Sequence, residues 1–83
     1  MDGPKRILMV PMIKKVEALR MASGLTLLDD QVAIAFWGPV PEGPETEEQT
    51  EALDFADVPM EKLHQDIDGL AQRIINSDVV FFV

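Results

Sequence analysis

The sequence predicts one small α/β domain over residues 1–83, with a mostly parallel sheet and the element order β-α-β-loop-α-β. Two observations lead to this prediction. Short continuous apolar runs, which are typical of strands buried on both faces, alternate along the chain with segments of helical periodicity. A length of 83 residues leaves room for one domain. A sheet of three strands is narrow, and its two open edges favour assembly with other subunits.

The three strands are predicted from apolar runs. Residues 7–10 form the first, and Pro11 ends it because its nitrogen has no hydrogen to donate to a sheet. Residues 31–37 form a central strand rich in β-branched and aromatic side chains, which ends before Gly38 and Pro39. Residues 79–83 are wholly apolar, so this strand has to be covered inside the sheet or by a subunit interface.

Two helices are predicted from the spacing of apolar residues. The first spans residues 13–28, and Gly24 within it either allows a close approach to the sheet or marks an early end. The second spans residues 59–76, with Asp57 as its cap and Pro59 in its first turn. Its apolar stripe comprises Met60, Leu63, Ile67, Leu70, Ala71 and Ile74.

The segment between the central strand and the second helix has a different composition. Residues 39–57 are acidic and contain three prolines, which predicts a solvated loop. Within it we expect a helical turn near residues 45–53. A short edge strand is expected near residues 53–58.

The composition excludes several classes of site. The absence of cysteine rules out a disulfide framework, a thiolate nucleophile, a cysteine-based zinc site and a cysteine-ligated iron–sulfur cluster. The one histidine, His64, is expected on the surface beside the apolar stripe, and the acidic loop lacks the carboxylate spacing of an EF-hand. We therefore predict neither a metal nor a cofactor, and an enzymatic role has little support.

The charge distribution bears on partners. A formal charge of −8 argues against nucleic-acid binding, which needs a cationic surface. The bases Lys5, Arg6, Lys14, Lys15 and Arg20 fall in the first quarter, whereas residues 42–57 hold seven acids and no base. Such a chain could self-associate by charge complementarity. With neither a signal peptide nor a membrane-length apolar run in view, we expect a cytoplasmic protein that does not contact membranes.

One binding site is predicted from the expected topology. Ligands of open parallel sheets bind beyond the carboxyl ends of the strands, where a helix N-terminus can hold an anion. The residues at this place are Met12, Lys14, Lys15, Trp37 and Gly38. They indicate a site for a small anionic or nucleotide-like ligand. The alternative, which the absence of a glycine-rich phosphate motif favours, is a pair of solvated lysines and a packed tryptophan.

Part of the sequence resembles a known family. Residues 16–28 read VEALRMASGLTLL and residues 29–38 read DDQVAIAFWG. They resemble the DsrE/DsrF-like family, whose members typically show an "ALR-A-GL" helix after the first strand and then a strand ending in an aromatic or small residue and glycine. The closing residues 63–83 are similar to that family's last helix and its "SD-VV-F" strand.

The resemblance implies a Rossmann-like fold of two or three layers and a trimeric or hexameric assembly. Several members of the family carry persulfide sulfur on a cysteine in a loop after a middle strand, in sulfur relay or sulfur oxidation. Residues 39–58 stand in place of that loop here, and no cysteine is present. The resemblance therefore implies a shortened, non-catalytic, homo-oligomeric member, an accessory subunit in sulfur metabolism that has a protein partner. The second reading is a small domain that binds an anionic ligand near Lys14 and Trp37.

Overall fold

The computed structural model of the chain describes residues 5–27, 30–63 and 66–83. Strands and helices alternate in the order β1 (Arg6–Val10), α1 (Lys15–Leu25), β2 (Gln31–Phe36), α2 (Pro44–Phe55), β3 (Met60–Lys62), α3 (Ile67–Ile75) and β4 (Val79–Phe82). The predicted α/β class is confirmed, as are the strands at residues 7–10, 31–37 and 79–83. His64 lies outside the described residues.

The four strands form one parallel sheet with the order β3-β2-β1-β4. Ile7 of β1 pairs with Val32 of β2 on one side and with Val79 of β4 on the other. From β1 through β2 to β3, each new strand is added on the same side of the preceding one. Because parallel crossovers are right-handed, the two connecting helices α1 and α2 lie on one face of the sheet. The crossover through α3 runs back from β3 to β4, and α3 therefore covers the opposite face. The result is a three-layer Rossmann-like domain.

The larger part of the core lies between the sheet and the pair α1 and α2. Alternate residues of β1 and β2 point to this face, as the two-residue period of a strand requires. They pack against small and aliphatic residues of the helices and against Val58 in the turn between α2 and β3. The buried residues are Ile7, Met9, Ala18, Leu19, Ala22, Val32, Ile34, Phe36, Leu53 and Val58.

The core beneath α3 is much smaller. Its buried residues are Leu8, Val10, Ala35 and Leu63, and Leu70 of α3 is half-buried against them. None of the residues of α3 is fully buried. An ion pair between Arg73 of α3 and Glu61 of β3 holds one flank of the helix over the β3 side of the sheet. Within the part of the chain that the structure describes, this helix is therefore attached to the sheet by a short apolar contact and one salt bridge.

Two aspartates fix the start of β1 between its neighbours. The carboxylate of Asp30 accepts the amide of Lys5 at 2.9 Å, and the amide of Gln31 returns to the carbonyl of Lys5 at 2.8 Å. On the other side, the carboxylate of Asp78 accepts the amide of Arg6 at 2.8 Å, and the amide of Asp78 returns to the carbonyl of Arg6 at 2.8 Å. Each aspartate directly precedes a strand that pairs with β1, so the same device sets both registers.

The prediction of one helix over residues 59–76 is wrong in its first half. Residues 60–62 form β3, which pairs with β2, and the amide of Leu63 donates to the carbonyl of Phe36 at 3.0 Å. Met60 and Leu63 continue the helical stripe of α3 in the sequence, but they enter the cores on the two faces of the sheet. Pairing with β2 outweighs the local periodicity.

The prediction of a loop over residues 39–57 is corrected as well, because α2 occupies Pro44–Phe55. The helical turn expected near residues 45–53 lies inside this longer helix. Helix α2 is acidic, and most of its residues face water. Its Leu53, however, is 1% exposed and is buried beside α1. Pro44 stands at the start of α2, where a missing amide hydrogen costs nothing.

The end of α2 replaces both the edge strand expected at residues 53–58 and the cap expected at Asp57. The amide of Val58 donates to the carbonyl of Leu53 at 3.0 Å, and the amide of Asp57 donates to the carbonyl of Asp54 at 3.0 Å. Asp57 has φ 60°. This is a Schellman motif, in which Leu53 and Val58 supply the apolar contact and an aspartate occupies the left-handed position that usually holds glycine.

Helix α1 ends at Leu25, three residues earlier than predicted. Gly24 is exposed, and no atom of another element lies within 4 Å of the place that a Cβ would occupy. Of the two roles predicted for this glycine, the structure therefore shows the early end and not the close approach. None of the helices among the described residues is long and apolar enough to cross a membrane.

Candidate functional site

The carboxyl ends of β1 and β2 border a cleft of about 530 Å³ at the start of α1. Lys14 and Lys15 line it, together with residues 39–41. The ammonium group of Lys15 donates to the carbonyl of Pro39 at 2.6 Å, which holds this side chain across the mouth of the cleft. The structure thus brings together the two lysines that the sequence predicts for an anion site.

Part of the amide cluster expected at this place already has an acceptor. The amides of Met12, Ile13 and Lys14 all donate to the carbonyl of Val83, at 3.0, 2.9 and 3.3 Å. The loop after β1 is thereby bonded to the residue after β4. The amides that open α1, residues 15–17, have no carbonyl one turn earlier within the helix, and Lys14 provides no side-chain cap. Any anion at this cleft would meet these amides.

The other three predicted site residues lie around the cleft in different ways. Trp37 is half-buried against the smaller core beneath α3 and does not line the cleft. Gly38 lies beside the lysine, since a Cβ there would come 3.4 Å from the ammonium nitrogen of Lys15. Met12 is 37% exposed on the loop after β1. The tryptophan and the two lysines therefore belong to opposite faces of the sheet.

A second cleft, of about 500 Å³, lies at the opposite end of the strands, where β1 and β2 begin. Leu8, Ala33 and Pro59 are among its apolar residues, and Arg6 and Arg73 are among its polar ones. Sequence reasoning missed this cleft because its lining comes from segments far apart in the chain. Both guanidinium groups are already paired, Arg6 with Asp78 and Arg73 with Glu61. Asp30 and Asp57 also line the cleft, so its charged residues are two ion-paired arginines and two aspartates.

The described part of the chain offers few residues suited to acid–base or metal chemistry. Within residues 5–27, 30–63 and 66–83, no group of three or more histidines or carboxylates is placed to hold a metal ion. The amide of Arg6, which donates to the carboxylate of Asp78, lowers the pKa of Asp78 below 3.8, and the nearby guanidinium of Arg6 acts in the same direction. This carboxylate has a structural role at the start of β4.

The most distinctive surface lies along β4 and the adjacent flank of α3. We call it the β4–α3 surface and define it by Val80 and Phe82 of the strand and Ile67 and Ile74 of the helix. Phe82 is 54% exposed, Ile67 72% and Ile74 37%. Val80 and Phe82 point to the same face as α3, because alternate residues of a strand share a face and Val80 packs in the core beneath that helix.

The helical period explains why these isoleucines face β4. Leu70 points to the sheet, and Arg73, about 60° to one side of it, reaches Glu61 of β3. Ile74 and Ile67 lie about 40° and 60° to the other side. Since β3 and β4 are the two edges of the sheet, this other side is the β4 side. The apolar flank of α3 and the exposed side chains of the edge strand β4 therefore form one continuous surface.

The two edge strands differ in how they are protected. β3 has three residues, two of them charged (Glu61 and Lys62), and Pro59 precedes it. Short length, charge and proline are the usual devices that prevent a second chain from pairing with an edge. β4, in contrast, is Val-Val-Phe-Phe, with neither charge nor proline. Of the two edges in the described sheet, β4 is the one suited to pairing.

Fold and surface together define a class, a four-stranded parallel α/β domain with one open apolar edge. Comparison of the chain with protein-family models, with curated proteins and with solved structures finds no match.

Proposed function

We propose that the chain is a non-catalytic, self-associating domain of the DsrE-like type. In this proposal it works in the cytoplasm as an accessory subunit for a partner that carries the sulfur-bearing cysteine. The observation that carries the self-association is the β4–α3 surface, where one helix flank and one edge strand are apolar and uncovered. Exposed apolar patches bounded by polar residues are typical of protein interfaces.

Several features support the accessory role. The parallel sheet with helices on both faces agrees with the Rossmann-like fold of two or three layers that the resemblance implies. A chain without cysteine cannot carry a persulfide, so sulfur chemistry in such an assembly has to take place on a partner. The loop after β1 is closed by the chain's own Val83 carbonyl, which favours a structural use of this end of the sheet over binding of a ligand.

The first experiment measures the mass of the purified chain by size-exclusion chromatography with light scattering, over a range of micromolar concentrations. The proposal expects a stable oligomer, and the resemblance expects a trimer or a hexamer of the 9.2 kDa chain. A well-folded particle of 9.2 kDa at every concentration would contradict self-association. Circular dichroism of the same samples establishes that the chain is folded.

The second experiment addresses the accessory role separately. The genes beside that of the chain are searched for a cysteine-bearing DsrE-type protein, which is then co-expressed with the chain, and the mass of the purified complex is measured. A mixed oligomer of defined stoichiometry is expected. Separate elution of the two proteins would count against the accessory role and would leave the self-association intact.

The alternative function, binding of a small anion or nucleotide, is favoured by one observation, the cleft lined by Lys14 and Lys15 at the start of α1. Titration with inorganic phosphate, followed by NMR, would shift the amides of residues 15–17 in a saturable way. Lys14→Ala would weaken this response, and Lys62→Ala, on the exposed surface of β3, would not. An unsaturated response, or one equal in both variants, would refute this alternative.

A further inference from the structure

We infer that two copies of the chain pair through β4, antiparallel and about a two-fold axis perpendicular to the sheet, so that the two sheets join into one of eight strands. This inference rests on the proposed self-association and specifies its interface. A two-fold axis makes the same surface serve on both subunits, which an antiparallel pair of identical strands does by construction. The occupant of the β4–α3 surface is thus a second copy of the chain.

The backbone of β4 has the groups that such a pair needs. The amide of Val83 donates to the carbonyl of Val10 on β1 at 3.2 Å, and the carbonyl of Val83 accepts the amide of Met12. Hydrogen-bonding direction alternates along a strand, so Val79 and Phe81 also bond inward to β1, in agreement with the register of the two strands, whereas Val80 and Phe82 present their amides and carbonyls to the open edge. In an antiparallel pair, two outward-facing residues opposite each other exchange both of their hydrogen bonds.

The register follows from the position of Asp78, the charged residue that directly precedes the strand. With Phe81 opposite Phe81 of the second copy, Val80 faces Phe82, and every pair along the strand is apolar. A register centred on Val80 instead places the Asp78 carboxylate opposite Phe82 and removes it from water without an added partner, which is costly. We therefore infer the register centred on Phe81.

The same axis also covers the exposed flank of α3. A two-fold axis perpendicular to the sheet keeps both α3 helices on one face, on either side of the join between the two β4 strands. Ile67 and Ile74 of each copy then face the join above Val80 and Phe82. One symmetry operation consequently buries two features, the open edge and the helix flank, and this self-complementarity favours a second copy over an unrelated protein.

Charge complementarity points in the same direction. Lys14 lies at the carboxyl end of β4, because its amide donates to the carbonyl of Val83. Asp78 lies at the opposite end of the same strand. Antiparallel pairing brings the end that carries Lys14 beside the end that carries Asp78 in the second copy, so opposite charges flank the apolar join at both of its ends. Two chains of net charge −8 repel each other overall, and these local pairs reduce that repulsion where the strands meet.

The test compares two substitutions of the same kind at two exposed phenylalanines. Phe82→Lys places a charge on the β4–α3 surface, whereas Phe55→Lys alters a side chain that is 91% exposed at the end of α2. The inference expects an oligomer with an even number of subunits in the wild type and in Phe55→Lys. It expects Phe82→Lys to be folded and to have half the wild-type number of subunits or fewer.

The outcomes separate this inference from the function on which it rests. A monomeric wild type refutes the proposed self-association, and the inference with it. A wild-type oligomer that Phe82→Lys leaves unchanged, or one with an odd number of subunits, refutes the β4 interface and leaves self-association standing.

A second test fixes the register and uses the absence of native cysteine. Val80→Cys and Phe82→Cys are prepared as separate variants, mixed in equal amounts and oxidised. The inferred register places these two positions opposite each other, within the Cα separation that a disulfide bridges, so the mixture forms a covalent dimer. Val80→Cys alone would cross-link to itself only in the register centred on Val80, and that result would overturn the inferred one. Phe55→Cys serves as the control for random collision.

Discussion

Asp57→Gly is expected to stabilise the protein. Asp57 occupies the left-handed position that ends α2, with φ 60°, and its amide and that of Val58 close the helix onto Asp54 and Leu53. Glycine reaches this backbone conformation without the steric penalty that a Cβ imposes. The substitution removes no hydrogen bond of the motif, because both of these bonds are made by the backbone.

The magnitude follows from two contributions. Relief of the left-handed penalty is worth about 1 kcal/mol, somewhat reduced because aspartate tolerates this region better than most residues. Removing a carboxylate from the negative end of the helix dipole adds roughly 0.3–1 kcal/mol at low salt. The sum, about 1–2 kcal/mol, corresponds to a rise in Tm of roughly 4–16 °C for a domain of this size.

The assay is urea and thermal unfolding followed by circular dichroism, with three companion variants. Asp57→Asn keeps the left-handed backbone and removes the charge, so it measures the dipole contribution. Asp57→Ala removes the charge and imposes the full steric penalty, so it is expected to fall below Asp57→Asn. Ala52→Gly places glycine at an exposed position inside the same helix and is expected to cost about 1 kcal/mol. If Asp57→Gly proved as destabilising as Ala52→Gly, the assignment of the left-handed helix end would be refuted.

Two further predictions concern the core and the start of β4. Leu53→Ala, at a side chain that is 1% exposed, is expected to lower the free energy of unfolding by about 2–5 kcal/mol, whereas Leu27→Ala, at 87% exposure, is expected to change it by less than about 0.5 kcal/mol. Equal effects in chemical denaturation would contradict the burial of α2 against the sheet. For Asp78, the amide of Arg6 lowers the pKa of the carboxyl in the folded state, so the ionised form contributes stability above the usual pKa of about 3.8, and this contribution is lost as the pH falls through the lowered value. Asp78→Asn should therefore be less stable than the wild type at pH 7 and lose less stability on acidification below pH 4. Asp54→Asn is the control for the loss of one negative charge. If the free energy of unfolding of Asp78→Asn ran parallel to that of the wild type over this pH range, the hydrogen bond would contribute nothing.

The three predicted strands and the first helix illustrate what local pattern can reveal. β1 and β2 are continuous apolar runs because they are buried on both faces of a parallel sheet, and this burial appears directly in the sequence. β4 is equally apolar, although its residues are half-buried or exposed. Helix α1 follows from its period, since one face packs on the sheet and the other meets water. These elements suffice for the fold class.

β3 and α2 show where local pattern misleads. Met60 and Leu63 fit the period of the following helix, and only pairing with β2 identifies residues 60–62 as a strand. α2 lies in an acidic, proline-containing segment whose composition suggests a loop, and it is stabilised by packing of Leu53 beside α1. Three-residue strands and weakly amphipathic helices owe their existence to tertiary contacts, so their sequences carry little of the signal.

The candidate sites divide in the same way. The sequence by itself determined the α/β class, the absence of cysteine chemistry and the apolar character of β4, because composition and period are properties of the chain alone. Only the tertiary structure decided that β4 is an edge strand, that the flank of α3 faces it, and that the loop after β1 is bonded to Val83. These depend on the order β3-β2-β1-β4, which long-range pairing sets and no local stretch of residues encodes.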